Sequence, residues 1–181
     1  QADLDQDGVG DACDLDIDGD GIPNDVDEFA RDPSKWRNGD VAERLGDAAK
    51  QNFGQVIVNL GDINNDYADD YVIGTPNFKA STQVNGKTKL LNKAGKVEVI
   101  SGKTGDVLIS ETGRAAKALF GSAVIAADID RDGLMDIAIG SPGANKNTGE
   151  VVICLATVAG SFDCDNTITP DTSSKASLFG S

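Results

Sequence analysis

Aspartate alternates with other residues along the first 32 positions, and no other feature of the sequence constrains the fold as strongly. Twelve of the 30 acidic residues lie in this stretch, and glycines interrupt them. A plain acidic tail is kept disordered by its own charge repulsion. Regular alternation with glycine is instead typical of loops that fold around a cation. The alternative is an acidic, solvated linker.

The acidic segment repeats with a period of 13 residues. The pattern D-x-D-x-D-G starts at Asp3 and Asp16, each copy has an Asp at position 12, and the pattern recurs at Asp128. It also starts at Asp14, so the register of the second loop stays open by two residues, although the period favours Asp16. The candidate metal ligands of this segment, with Val9 and Ile22 contributing backbone carbonyls, are Asp3, Asp5, Asp7, Val9, Asp14, Asp16, Asp18, Asp20, Ile22 and Asp27.

Calcium is the cation that suits this spacing. Ca²⁺ takes six to eight oxygens, and a loop with a glycine at its sharp turn delivers alternate side chains to it. Mg²⁺ fits less well because it prefers rigid octahedral geometry and retained waters. An EF-hand is disfavoured, since a 13-residue repeat leaves no room for flanking helices and position 12 is Asp rather than Glu.

The stretch DLDQDGVGDACDLDIDGDGIPNDVDEFARDPSKW, within about residues 1–36, resembles the thrombospondin type 3 calcium repeats of secreted bacterial proteins. The resemblance implies a loop-rich, calcium-filled rod with little hydrophobic core. It also implies that the fold of this rod depends on the metal.

A second repeat begins beyond residue 50. Residues 52–58 lead from Asn-Phe-Gly to an acidic loop at Asp62 and then to Gly-x-Pro; residues 119–125 lead from Leu-Phe-Gly to an acidic loop at Asp128 and again to Gly-x-Pro. The two loops are 66 residues apart. Residues 95–102 and 149–154 follow them and alternate small or polar with apolar residues, which predicts half-buried strands.

Both copies resemble the FG-GAP repeat of the integrin α-chain β-propeller. The resemblance implies a blade of four antiparallel strands per copy and a calcium loop in each. Its ninth-position Asp would chelate with both oxygens. Tyr67 stands where the family has Gly, so a positive φ there would be strained and this site weaker or differently shaped; metal-free polar turns are the alternative. The implied ligands, with Ala68 and Leu134 acting through carbonyls, are Asp62, Asn64, Asp66, Ala68, Asp70, Asp128, Asp130, Asp132, Leu134 and Asp136.

The expected fold is mostly β: propeller-type blades after a loop-rich calcium-binding rod. We expect type 3-like repeats in residues 1–32, a linker in 33–50 and blades in 51–181, divided at about 117, with a third Phe-Gly copy starting at 178. Phe53, Phe120 and Trp36 are predicted core residues. Two blades do not close a propeller, so either the chain is part of a longer protein or neighbouring chains complete it.

The composition excludes several functions. The chain has no His, which removes the commonest general base and every His-ligated metal site. A formal net charge of -14 disfavours nucleic acid and anionic lipid as partners, and no apolar run is long enough to insert into a membrane. The clustered Asp is explained by metal loops, so we expect no enzymatic activity. Catalysis by paired carboxylates, as in glycoside hydrolysis, is the disfavoured alternative.

The cysteines bear on the compartment. Cys154 and Cys164 lie ten residues apart, as if on a hairpin, and would cross-link it if their Cβ atoms approach to about 4.5 Å; Cys13 is then left over. Disulfides and modest-affinity calcium loops both suit an extracellular location. The Ser/Thr-rich residues 167–174 are a candidate for O-glycans.

The sequence therefore predicts a calcium-binding extracellular structural or adhesion module. About four Ca²⁺ ions would rigidify it, and its partners would be other protein chains, including copies of itself. One alternative is a subunit of a homopolymeric filament whose strand edges are completed by neighbouring copies. Another is a carbohydrate-binding appendage of a secreted polysaccharide-degrading enzyme, with a glycan as its ligand.

Overall fold

The computed structural model describes residues 2–33, 44–158 and 160–170. They belong to two compact units, Gln1–Val41 and Ala42–Ser181. Trp36, most of the predicted linker, part of the Ser/Thr-rich stretch and the predicted third copy at 178 lie outside the described residues. Within the described ranges no helix is long and apolar enough to cross a membrane.

The first unit contains turns and bends, with no helix or strand among residues 2–33. Its backbone repeats with the 13-residue period of the sequence. The amide of Asp11 donates to the carbonyl of Ala2 at 3.0 Å, and the amide of Asn24 donates to the carbonyl of Leu15 at 2.8 Å. Because few apolar side chains are buried, loop contacts rather than a core hold this unit together.

The second unit contains two four-stranded antiparallel sheets, paired in the order β1-β2-β5-β6 (blade 1) and β7-β8-β9-β10 (blade 2). The β3–β4 hairpin is inserted between β2 and β5, and a short turn, α1 (Ala144–Asn147), joins β8 to β9. The mostly β fold with antiparallel blades is thus confirmed, and the two described blades form no closed ring. The strands are β1 (Val56–Gly61), β2 (Asp70–Thr75), β3 (Ala80–Val84), β4 (Lys87–Leu91), β5 (Lys96–Ile100), β6 (Val107–Thr112), β7 (Ala123–Ala127), β8 (Asp136–Ser141), β9 (Glu150–Val158) and β10 (Ser161–Ile168).

The hydrophobic core includes residues from both blades. Val97 and Val99 of β5 belong to one buried cluster with Ile137 and Ile139 of β8. Alternate residues of these strands contribute to it, as expected where one sheet face is buried. A disulfide between Cys154 and Cys164 joins β9 to β10 beside this cluster, whereas Cys13 is free and exposed.

The second Phe-Gly pair connects the blades. Phe120 is buried, and its amide donates to the carbonyl of Ala94 at 3.0 Å. Gly121 has φ +82°, and a Cβ on it would lie 2.8 Å from Val97 Cγ2, so this position requires glycine. The prediction of Phe120 as a core residue is correct. Phe53 is only half-buried, because it packs beside Gly46 rather than in the cluster between the blades.

Strand β5 corrects the expectation of a half-buried strand. All five of its residues are buried, including Lys96 and Glu98, whose side chains pair at 2.9 Å. Asp47 also pairs with Lys96, and Arg44 with Glu98 at 3.2 Å. Buried charges are retained only when paired, and these partners come from chain before blade 1 that sequence patterning could not place. In β9 the predicted alternation between half-buried and buried residues is present over residues 151–156.

A pair of isoleucines in blade 2 tests the position of the core. Ile139→Ala removes a side chain that is 1% exposed and should lower the free energy of unfolding by about 2–5 kcal/mol. Ile125→Ala, on β7 and 60% exposed, should lower it by less than about 1 kcal/mol. Urea denaturation in saturating calcium measures both, and equal losses would contradict a core at Ile139.

Candidate metal loops

Four nine-residue loops share one backbone form. They are L1 (residues 3–11), L2 (16–24), L3 (62–70) and L4 (128–136), and in each the residues at positions 4 and 6 have positive φ. At position 6 the φ angle is 96° for Gly8, 93° for Gly21, 66° for Tyr67 and 92° for Gly133. Tyr67 therefore adopts the left-handed conformation that the repeat demands, which is uncommon for a residue with a side chain of this size.

Each loop also contains the same hydrogen bonds from backbone amides to carboxylate or amide oxygens. The amide of position 6 donates to the position 1 side chain at 3.3, 2.9, 2.8 and 3.1 Å in L1 to L4. The amide of position 5 donates to the position 3 side chain at 3.2, 3.3, 3.0 and 3.2 Å. The amide of position 7 donates to the position 5 side chain at 2.7, 2.8, 3.0 and 2.8 Å. Side chains at alternate positions are thereby fixed in each loop.

The hydrogen bonds favour the Asp16 register for L2. Asp16 Oδ2 accepts the amide of Gly21 at 2.9 Å, as Asp3 Oδ2 accepts that of Gly8 at 3.3 Å. Asp14 instead accepts the amide of Asp16 at 2.9 Å. Asp14 and Asp27 thus stand at position 12, three residues beyond the end of L1 and L2 respectively.

The residue at position 9 closes each of the four loops. In all four loops its side chain accepts the amide of position 2, at 3.0, 3.0, 3.1 and 2.7 Å in L1 to L4. The occupants are Asp70 and Asp136 in L3 and L4, which the sequence analysis named, and Asp11 and Asn24 in L1 and L2, which it did not. The sequence does contain the pattern that identifies Asp11 and Asn24, because an Asp or Asn lies eight residues after position 1 in every loop.

The second oxygen of position 9 anchors three of the loops. Asp70 Oδ1 accepts the amide of Gly102 at 3.1 Å, next to β5, and Asp136 Oδ1 accepts that of Ala156 in β9 at 2.9 Å. Both carboxylates are 0% exposed, and burial raises the pKa of Asp70. In L1 the Arg31 guanidinium donates to Asp11 at 2.8 Å and lowers the pKa of that carboxyl. Each carboxylate oxygen keeps a further lone pair for a cation.

The structure brings carboxylates together in three of the loops. One oxygen from each member lies within 4.8 Å of the others in the triads Asp3, Asp5, Asp7; Asp16, Asp18, Asp20; and Asp128, Asp130, Asp136. Asp132 lies outside its triad, and among the described residues Asp62, Asp66 and Asp70 do not form one. For Val9, Ile22, Ala68 and Leu134, the structure shows the amides bound to position 5.

Loop L2 provides a test of whether these residues suit a cation. Asp18 is 5% and Asp27 9% exposed, and Oδ2 of each is buried without a hydrogen-bond partner among the described residues. Burial raises the pKa of Asp18, and the charges of Asp20 and Asp27 add to this. A buried, unpaired carboxylate oxygen is costly unless a cation neutralises it. The oxygen donors therefore fit calcium.

Comparison with known families agrees with this geometry. Residues 2–33 match the family model of the thrombospondin type 3 repeat, and residues 120–154 match that of the FG-GAP repeat. Both repeat assignments are confirmed, in the predicted order. Over 113 residues the chain is 29% identical to integrin alpha-V of Gallus gallus, an alignment that covers 58% of this chain and 10% of that protein. The chain thus spans about a tenth of the length of this curated relative.

The two repeat families are structural and adhesion modules of extracellular proteins. Thrombospondin type 3 repeats imply calcium binding, and the acidic clusters of L1 and L2 lie within the matched residues. The FG-GAP match includes L4 together with β7 and β8.

Two isosteric variants of the first unit test the fit of L2 to calcium. Asp18→Asn removes the carboxylate whose Oδ2 is buried without a hydrogen-bond partner among the described residues, and it should weaken one calcium site by about tenfold or more, because ligand charge sets the affinity of such loops. Asp25→Asn makes the same charge change at an exposed residue of the same segment and should leave that site unchanged. Isothermal titration calorimetry with Ca²⁺ measures both. Identical isotherms for the two variants would exclude Asp18 as a ligand.

Proposed function

We propose that the chain is a calcium-binding structural and adhesion module that functions outside the cell. Calcium stiffens both units, and the blades contact other protein chains. In this proposal residues 1–32 form the calcium-binding rod, 33–50 the linker and 51–181 the blade region. About four Ca²⁺ ions bind, one in each of L1 to L4, at the side chains of positions 1, 3, 5 and 9 and the position 7 carbonyl. Asp14 and Asp27 supplement L1 and L2.

The observation that carries this proposal is the hydrogen-bond pattern that L1 to L4 have in common. L1 and L2 lie among residues 2–33, where the structure describes no helix or strand, and L3 and L4 belong to a β-sheet unit, yet all four loops hold the same positions with the same amides. Sheet geometry alone cannot explain this, since L1 and L2 adjoin no strand over the described residues 2–33. A common ligand requirement explains it.

Metal binding would contribute directly to folding. Three carboxylates within 4.8 Å of one another repel, so a loop without its cation is destabilised. A cation that binds only the folded state stabilises it by about 2.7 kcal/mol per site at a free concentration one hundred times the Kd. The effect is largest in the first unit, which has no strands or helices of its own among its described residues.

The blade region is the part that we propose to contact a protein partner. Its two sheets expose apolar side chains on strands β1 and β7, where Ile57 and Ile125 are each 60% exposed. Exposed apolar side chains beside polar ones are typical of protein interfaces, although single ones are also normal on surfaces. Similarity to the integrin alpha-V chain supports a protein partner over a nucleic acid.

Removal of calcium tests the proposed function. In excess EGTA the melting temperature should fall by about 10 °C or more, since two or more saturated sites contribute several kcal/mol and one kcal/mol is worth about 2–4 °C in a chain of this size. Differential scanning calorimetry of the full chain measures this, with re-added Ca²⁺ as the restoring step. Equal concentrations of Mg²⁺ should not restore it. A melting temperature unchanged by EGTA would refute the proposal.

A further inference from the structure

The two FG-GAP loops have the same backbone but different neighbours. Gly102 and Ala156 donate their amides to the position 9 carboxylates of L3 and L4, at 3.1 and 2.9 Å, so they occupy equivalent places in the two blades. Strand register agrees, because Tyr71 pairs with Ile100 as Ile137 pairs with Cys154. The residues on either side of Gly102 and Ala156 are therefore equivalent too: Ser101 with Leu155, and Lys103 with Thr157.

In blade 1 these neighbours donate hydrogen bonds to L3. Lys103 Nζ donates to the carbonyl of Asp66, at position 5, at 2.9 Å. Ser101 is 2% exposed, and its hydroxyl donates to Asp66 Oδ2 at 3.2 Å. The side-chain amide of Asn64, at position 3, donates to the same oxygen at 3.0 Å. Side chains of this protein therefore bind the carboxylate and carbonyl of Asp66, and one of them is a cation.

Over the described residues, no side chain donates a hydrogen bond to L4 in the corresponding way. Leu155 is apolar, and Asp130 replaces Asn64 at position 3. Among the described residues, Asp132 at position 5 accepts only the amide of Leu134, at 2.8 Å. Three carboxylates of L4 converge within 4.8 Å, whereas the carboxylates of L3 do not. The arrangement in L4 is thus open to an external cation, while that in L3 is already cross-linked.

Two other charges in these loops do not change this comparison. Asp69 precedes position 9 of L3, but its carboxylate accepts the side-chain amide of Asn59 at 2.6 Å. Arg131 is at position 4 of L4, where it is exposed and has no ion pair or hydrogen bond from its side chain to any described residue. Neither residue is at a ligand position, and neither contacts the position 5 carboxylate.

We propose that Lys103, with Ser101, replaces part of the role of calcium in L3, so that L3 keeps its form without the metal and binds calcium more weakly than L4. The ammonium group of Lys103 supplies a permanent positive charge beside position 5, and a like charge near an ion site lowers its affinity for a cation. This inference depends on the proposed function, since it assumes that L4 binds calcium. It assigns Lys103 as the residue that sets the difference between the loops.

A residue-resolved calcium titration of the full chain tests the proposal. The amides of Tyr67 and Gly133 occupy position 6 of L3 and L4 and donate to the position 1 carboxylates, so their ¹⁵N–¹H resonances report each loop separately. We expect the calcium midpoint at Tyr67 to be at least about tenfold higher than that at Gly133. In EGTA, hydrogen exchange should be slower at Tyr67 than at Gly133 by a similar factor.

Substitutions that swap the residue types at the equivalent positions 103 and 157 provide matched variants. Lys103→Thr should lower the Tyr67 midpoint by about fivefold or more and accelerate its exchange in EGTA, because the built-in cation is lost. Lys103→Arg keeps the charge and should retain the wild-type midpoint. Thr157→Lys places an ammonium beside L4 and should raise the Gly133 midpoint, while the Tyr67 midpoint stays constant. These readouts concern local affinity and exchange, so a general loss of stability would not mimic them.

The outcomes separate this inference from the proposed function. Equal midpoints at Tyr67 and Gly133 in the wild type, or a Tyr67 midpoint unaffected by Lys103→Thr, would overturn the role of Lys103 while calcium binding stands. If neither amide responds to millimolar Ca²⁺, the proposed function fails first. The far-ultraviolet circular dichroism of each variant in calcium shows whether it folds. If Lys103→Thr does not fold, Ser101→Ala provides the second test: it removes the hydroxyl that donates to Asp66 without adding volume at this buried position, and it should also lower the Tyr67 midpoint.

Discussion

Repulsion between carboxylates that the backbone forces together is the constraint on which the rest of this structure depends. Amides of positions 5, 6 and 7 hold side chains at positions 3, 1 and 5 of each loop, which leaves oxygens of up to three carboxylates within 4.8 Å of one another. Amide dipoles offset only part of this charge, and Asp18 and Asp27 keep a buried oxygen without a hydrogen bond among the described residues. A divalent cation completes such a loop, because it supplies the positive charge that the backbone lacks.

The two units differ in what else stabilises them besides their acidic loops. The blades have a hydrophobic core, a disulfide and strand pairing, so the loops at their strand ends add to a fold that already buries apolar surface. The first unit has no strand or helix over residues 2–33, and its contacts are mainly those between loops. Burial of apolar area is the main favourable term in folding, so in the proposed function a unit with little of it would gain its stability from bound ions instead.

Loops L3 and L4 have the same backbone form, but different side chains lie beside them. L3 and L4 share backbone and anchors, but Ser101 and Lys103 lie beside one where Leu155 and Thr157 lie beside the other. None of these four residues belongs to a loop motif. A motif defines where ligands stand, whereas the adjacent strand end determines which donors compete with the ion. In our proposal, loops of one form therefore differ in metal affinity through residues outside the loop.

The spacing of residues along the chain was enough to predict the loops, because the side chains of one loop lie within nine residues and the backbone alone brings them together. The sequence by itself thus predicted the four loops and the mostly β fold with two blades. It also predicted that Tyr67 would make L3 weaker or differently shaped, but Tyr67 adopts the positive φ of 66° and L3 keeps the backbone form of the other loops. Long-range contacts decided the rest. Burial of Lys96 and Glu98 depends on Asp47 and Arg44 from outside the sheet, and two of the side-chain donors to Asp66 come from 35 and 37 residues away. Periodicity reports only the faces of an element, so it could not identify these partners.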